Sequence, residues 1–355
     1  MIERRVLPSG RVTWRVRYYG PDLRERSKSF RLRRDAEAYD AKTRTERHRG
    51  DWVDPRRGRA TLADVWADYE RVGMGHLRET TKSSYRNSWR HVAETFGQWP
   101  VAKIEHADVA DWVTSLSARS GPDLVRYAHR VLCLVLDHAM KSRRVPINVA
   151  RGVRLPRRPP GRDRFLTAPQ VQLLADKLGR DGDLVLAMAY LGLRWSELAA
   201  LKVADVDLAR RRVHVVERAT EVGGRIDVSA PKSHASNRHI AIPGLLVDLL
   251  QARTEGRPLD ALVFPAPGGG YLRNRNWRVR SGFNEASKAL GIEITPHDLR
   301  RTFGSLARAA GADLRWVQKA MGHESITTTA RIYAHLYDDE LDSVAAALDR
   351  IGRGH

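Results

Sequence analysis

A chain of 355 residues with 42% hydrophobic content is long enough for two or three domains with ordinary cores. Its 62 Lys and Arg against 42 Asp and Glu give a formal charge of +20, which favours a polyanionic partner, nucleic acid first, although a basic balance also suits a membrane-surface or ribosomal protein. One cysteine, Cys133, excludes intramolecular disulfides and a cysteine zinc cage, and 13 histidines without an HxxxH pair argue against a metal site, while the lack of a long apolar run or signal-peptide core argues against membrane insertion and for a cytoplasmic protein.

Residues 1 to 58 are the most basic segment, with 17 Lys/Arg against 9 Asp/Glu. Val12, Trp14, Val16 and Tyr18 alternate with Arg11, Thr13, Arg15, Arg17 and Tyr19, the period of a half-buried strand with one cationic face. Shorter strands are expected at Ile2 to Leu7 and Ser27 to Leu32, covered by a helix from about Arg34 to Arg49. A three-stranded sheet of this kind can enter a DNA major groove through Arg15 and Arg17, or it is a solvated basic sheet that only aids solubility. The Pro, Gly and charge of residues 54 to 59 mark a boundary.

Thr61 then caps a helix from Leu62 to Arg71. In the next helix, Thr81 to Phe96, Tyr85, Trp89, Val92 and Phe96 share a core-facing stripe, and Lys82, Arg86 and Arg90 repeat every four residues on another face. Helices at His106 to Ala118 and Pro122 to Lys141 follow, the second placing Arg126 and Arg130 together. These basic stripes are either solvated surface or phosphate contacts, which position a protein on DNA without reading sequence. Cys133, on the apolar side of the last helix, reads as buried and inert. Residues 151 to 164, rich in Pro and Arg, form a linker.

A third domain begins near Phe165, with Thr167 capping Ala168 to Leu178. After the apolar helix Asp183 to Leu191, Gly192 breaks the chain and Leu193-Arg194-Trp195-Ser196-Glu197-Leu198 restarts it. Arg194 therefore stands at an element boundary, where it can point into a cleft, and Glu197 three residues on can hold its guanidinium. Strand-like runs at Val213 to Arg218, Arg225 to Ser229 and Asn237 to Ile242 predict a small antiparallel sheet, the last two forming a hairpin with Lys232 at its tip. Helices are expected at Leu245 to Arg253 and Asn274 to Leu290, with Gly268-Gly269-Gly270 as a turn. An amphipathic helix is expected from Asp338 to Arg350.

The stretch from Thr295 to His335 concentrates the chemistry. His297 and Arg300, at i and i+3 of a helix, point the same way and can reach one anion. A phenol with a pKa near 10 is a poor nucleophile without cationic company, and arginine suits a phosphate because its planar fork stays charged and donates twice. Tyr333, His297, His323 and Arg300 thus read as parts for covalent phosphoryl transfer without a metal. Singly, each has a plainer alternative: a core aromatic, a helix N-terminal residue, a C-cap. The upstream Arg194 and Lys232 weaken those alternatives jointly.

The GLRWSEL box with Arg194, the hairpin Lys232, the HDLR box with His297 and Arg300, MGH with His323, and TTTARIYAH with Tyr333 together resemble a tyrosine recombinase of the phage integrase family, in order and spacing, over residues 165 to 340. The resemblance implies that Tyr333 attacks a DNA phosphodiester to form a 3'-phosphotyrosyl link. Arg194 and Arg300 would hold the non-bridging oxygens, Lys232 would protonate the leaving 5'-oxygen, and His297 and His323 would share proton transfer and hydrogen bonding to the phosphate. No cofactor, ATP or divalent ion is implied.

The expected fold is α+β and multidomain: an arm-type DNA-binding domain of a three-stranded sheet plus helix (1–58), an all-α core-binding domain (59–150), a linker (151–164), and a mainly α catalytic domain with a small antiparallel sheet and a helical tail (165–355). The implied partners are double-stranded DNA at core-type and arm-type sites, a homotetramer on DNA that is monomeric or weakly associated when free, and accessory bending and directionality factors. A type IB topoisomerase shares this chemistry, and a non-catalytic DNA-binding regulator shares the fold. The separate N-terminal module argues against the first, and the intact set of catalytic positions against the second.

Overall fold

The computed structural model describes residues 1–20, 24–49, 54, 56–159, 164–231, 236–333 and 348–349. The chain divides into two compact units, Met1–Pro160 and Gly161–His355. Among the described residues, no helix is long and apolar enough to cross a membrane.

The first unit opens with strands β1 (Ile2–Val6), β2 (Val12–Tyr19) and β3 (Glu25–Phe30), antiparallel in that order, followed by helix α1 (Arg33–Arg49). Period-two alternation does what it implies: Val16 and Tyr18 are buried with Ala36 of α1, and Arg15 and Arg17 take the opposite side. That side also carries acids. Arg15 lies across from Glu3, and Arg17 bonds Glu25 through its Nε.

Among the described residues, four α-helices build most of the rest of this unit: α2 (Leu62–Asp68), α3 (Glu79–Phe96), α4 (His106–Arg119) and α5 (Pro122–Lys141). Thr61 and Asp64 close a capping box at the start of α2, each accepting from the other's backbone N–H. The helix expected to reach Arg71 instead widens into a π turn, Tyr69–Gly73, where a Cβ on Gly73 would collide with the Tyr69 ring. Val92, Phe96, Trp112, Leu132 and Val135 form the core, and Trp66 stacks parallel on Trp89 at 4.7 Å. Asn148 donates to the Cys133 carbonyl (2.9 Å) and to Asp137 (2.7 Å), fastening the chain that leaves α5. Burial, with Asp137 nearby, pushes the half-buried Cys133 thiol up to about 11, so it stays protonated.

The second unit contains α6 (Ala168–Leu178), α7 (Gly182–Leu191), α8 (Trp195–Leu198), β4 (Val206–Asp207), β5 (Arg212–Val215), β6 (Arg218–Val222), β7 (Arg225–Ser229), β8 (Arg238–Ala241), α9 (Val247–Thr254), α10 (Asn274–Arg280), α11 (Phe283–Ala289), α12 (Pro296–Ala309), α13 (Leu314–Met321) and α14 (Ile326–Tyr333). Val185, Met188 and Leu191 of α7 pack with Leu299 of α12, Val213 of β5 and Ile240 of β8 in one core.

Strand pairing differs from the expected hairpin. β7 pairs with β6, and β8 pairs with β5, so the two runs flanking Lys232 belong to different sheets. Gly223 and Gly224, both at positive φ (56° and 79°), form the two-residue turn that returns β6 onto β7, a primed turn that matches strand twist. The expected helix over 274–290 is likewise two helices, because Gly282 adopts the left-handed conformation between them (φ 66°). Lys232 and most of the expected helix over 338–350 lie outside the described residues.

Candidate active site

Gly192 ends α7 in the left-handed region (φ 62°), where a Cβ would strike the Phe303 ring. The chain then runs extended through Arg194, whose N–H donates to Glu197 Oε2 (2.9 Å) while its Nη1 donates to Oε1 (2.6 Å). Glu197, only 4% exposed, is the hub. Arg238 of β8 donates from Nη1 to Oε1 (3.3 Å) and from Nη2 to Oε2 (3.0 Å), and Arg300 of α12 brings Nη1 to 3.8 Å from Oε2. Burial alone raises a carboxyl pKa, but the guanidinium groups of Arg238, Arg300 and Arg194 outweigh it and pull Glu197 down to about 2. Burial and the neighbouring Arg194 press Arg300 the other way, below its ordinary value. Three guanidinium groups on one carboxylate leave an excess of positive charge.

The same three arginines cap one helix. Arg238 Nε donates to the Ala320 carbonyl (2.6 Å), Arg300 Nη2 to the Met321 carbonyl, and Arg194 Nη2 to the Gly322 carbonyl (3.0 Å). Carbonyls in the last turn of a helix lack intrahelical partners and sit at its negative end, so three consecutive ones attract cations. Gly322 (φ 61°) then turns the chain into His323, whose N–H bonds the Gln318 carbonyl (3.1 Å).

His323 lines a cleft of about 1260 Å³ with Arg238, His239, Arg315 and Lys319. Its Nδ1 lies 2.9 Å from Thr329 Oγ of α14. Burial, reinforced by Arg300, Arg194 and Arg238, pushes its pKa down to about 4, so the ring is neutral at pH 7. One turn beyond Thr329, Tyr333 is fully buried, its hydroxyl 3.1 Å from the Arg301 carbonyl and 3.3 Å from Met321 Sδ. Its ring packs near Phe165 (5.8 Å) and fills the space over Gly304. His297 stands on the surface of the first turn of α12; the protein behind it, with Arg301 and Arg300, holds its pKa below the usual value.

Arg194, Glu197, Arg300, His323 and Tyr333 are thus gathered around the end of α13, with His297 one turn before Arg300. Arg238 escaped the sequence reading. A signal existed: it shares the inward register of β8 with Ile240, continued by the buried Ile242 just past the strand, where a charged residue must find a partner.

The residues expected to touch nucleic acid belong to the first unit. Lys82 bonds Glu79 (2.8 Å), Arg86 bonds Glu70 (2.5 Å), and Arg126 is turned to the Pro156 carbonyl (3.0 Å). Arg90 and Arg130 are exposed and have no side-chain partner among the described residues.

Residues 164–340 match the model of the phage integrase family. Over 361 residues the chain is 27% identical to a putative prophage phiRv2 integrase of Mycobacterium tuberculosis, covering 97% of this chain and 93% of that one. It is 31% identical over 284 residues to the tyrosine recombinase XerD of Mycobacterium leprae, covering 71% of this chain and 86% of that one. The fold resembles that of the Tn1549 transposon integrase solved in complex with a circular intermediate DNA, with a TM-score of 0.69 and 19% identity, covering 82% of this chain and 99% of that one. With the arginine cluster, the buried tyrosine and these relationships in view, the chain belongs to the phage integrase family of tyrosine recombinases.

Proposed function

We propose that this site-specific recombinase breaks and rejoins duplex DNA with Tyr333 as nucleophile, integrating or excising a phage or other mobile element. The observation that carries the reading is the pairing of Arg194 and Arg300 on one buried carboxylate, beside the helix end that leads to His323 and Tyr333. Glu197 preorients the arginines, which supply fixed positive charge where the phosphorane transition state is most negative. Tyr333 Oη bonds the phosphorus, its proton passing to the His297 side. The bond to the 5'-oxygen breaks, and Lys232 protonates that oxygen. His323 donates to a non-bridging oxygen. Attack by the 5'-hydroxyl of another strand reverses the step and frees the tyrosine.

Tyr333 cannot reach a phosphate from the slot that holds it in the free protein, so DNA binding must draw it out. In this reading residues 1–58 bind arm-type sites, 59–150 grip the core site, 151–164 form the strap and 165–355 carry the chemistry. Four copies assemble on two duplexes in the cytoplasm, helped by bending and directionality factors.

The test is a nicked suicide duplex built from the flanks of the element that encodes the chain. Wild type is expected to form a covalent adduct, mapped by mass spectrometry to Tyr333, and Tyr333→Phe to bind the duplex without forming it. An adduct of undiminished yield from Tyr333→Phe would remove Tyr333 from the reaction.

A further inference from the structure

We infer that Thr329 is a positioning residue that sets the tautomer of His323, so that Nε2 carries the proton and faces the substrate phosphate as a donor. The inference deepens the proposed reaction and rests on it.

A neutral imidazole has one N–H and one acceptor nitrogen, and its neighbours decide which is which. His323 Nδ1 and Thr329 Oγ are 2.9 Å apart, which leaves two arrangements: the ring donates to the hydroxyl, or the hydroxyl donates to the ring. Thr329 is fully buried, and among the described residues its hydroxyl makes this one hydrogen bond. If the ring donated, the hydroxyl proton would be left in a dry site with no acceptor among the described residues, a cost of about 1–3 kcal/mol. If the hydroxyl donates, its proton is used, and only a lone pair goes unmatched. The second arrangement is favoured, which makes Nδ1 the acceptor and puts the proton on Nε2.

The rest of the ring's setting agrees. The backbone of His323 is fixed on both sides, its N–H on the Gln318 carbonyl and its carbonyl on Gln318 Nε2 (3.2 Å). Nδ1 is occupied by Thr329, so Nε2 is the nitrogen left for a ligand, and the residue lines the cleft beside Arg238. Thr329 also precedes Tyr333 by one turn of α14, so the bond ties the phosphate-side histidine to the helix that carries the nucleophile.

The experiment is single-turnover cleavage of the suicide duplex by full-length wild type, Thr329→Val, Thr329→Ser, His323→Gln and the Thr329→Val/His323→Gln double variant, with binding measured separately. Thr329→Val is isosteric and is expected to slow adduct formation 10-fold or more at unchanged affinity, with Thr329→Ser restoring the rate. In the His323→Gln background, Thr329→Val is expected to cause little further loss, because it acts through the imidazole. In selectively 15N-histidine-labelled protein, the His323 Nδ1 resonance should be that of an unprotonated nitrogen in wild type and Thr329→Ser, and should lose that character in Thr329→Val. Wild-type rates in Thr329→Val, full additivity with His323→Gln, or a protonated Nδ1 in wild type would each overturn the assignment. Absence of any adduct from wild type would instead strike at the tyrosine reaction itself.

Discussion

Gly304 is the floor of the slot that holds Tyr333: a Cβ at position 304 would collide with Cζ and Oη of the tyrosine. The close approach of α12 backbone to phenol is what lets a large polar side chain be fully buried, with its hydroxyl near the Arg301 carbonyl and Met321 Sδ. Gly304→Ala is therefore expected to push the ring out, at an overpacking cost of about 1–3 kcal/mol. Chemical denaturation reads the cost, and tetranitromethane nitration of Tyr333 reads the exposure. Unchanged stability together with unchanged nitration would mean that the slot does not hold the ring in solution.

Arg238 supplies two of the hydrogen bonds to Glu197 and one to the end of α13, all from a dry position. Removing one partner of a buried ion pair strands the other, so Arg238→Met should destabilise the second unit by about 3–5 kcal/mol. A urea midpoint close to wild type would show that Arg194 and Arg300 alone keep Glu197 satisfied.

Among the depressed pKa values, those of His323 and Glu197 act on stability in separate acid windows. A histidine whose folded pKa lies below its unfolded value of about 6.5 costs stability as pH falls, because the unfolded chain binds the extra proton. For His323 the loss begins near pH 6.5 and levels off near its folded value of about 4. His323→Asn should flatten the stability profile across that window. Glu197 acts lower: its stabilisation is present above the ordinary carboxyl pKa and is lost as pH falls toward about 2. A His323→Asn profile with the wild-type slope between pH 6.5 and 4 would show that the ring is not desolvated.

On the helical bundle, cations already neutralised by neighbours have less to offer a phosphate. Among the described residues Arg90 and Arg130 are exposed without side-chain partners, whereas Lys82 and Arg86 are engaged by Glu79 and Glu70. If both free arginines contact the backbone, Arg90→Ala/Arg130→Ala should reduce the slope of log affinity against log salt by about two. Lys82→Ala should change it less. An unaltered salt slope in the double variant would take both arginines off the DNA.

Much of this protein was legible in the order of its residues. The helix Pro122–Lys141 is marked by a proline that suits a first turn and an apolar stripe at helical spacing, and Ala168–Leu178 by the Thr167 to Gln170 capping box. The conjunction of Arg194, His297, Arg300, His323 and Tyr333 named the family because chemistry constrains residue type and order. Such signals are local, each read within a turn or two of helix.

Tertiary structure decided what local signals leave open. Strand partners depend on which turns can close tightly, and the glycine pair at 223 and 224, both at positive φ, joins β7 to β6 while β8 pairs with β5. The choice of Arg238 as third cation on Glu197, the three carbonyls at the end of α13 that share the arginines, and the slot over Gly304 all join residues far apart in the chain. They exist because a buried charge or hydroxyl must find a partner in whatever the fold brings near, and that neighbourhood is a property of packing, which residue order encodes only through the whole chain at once.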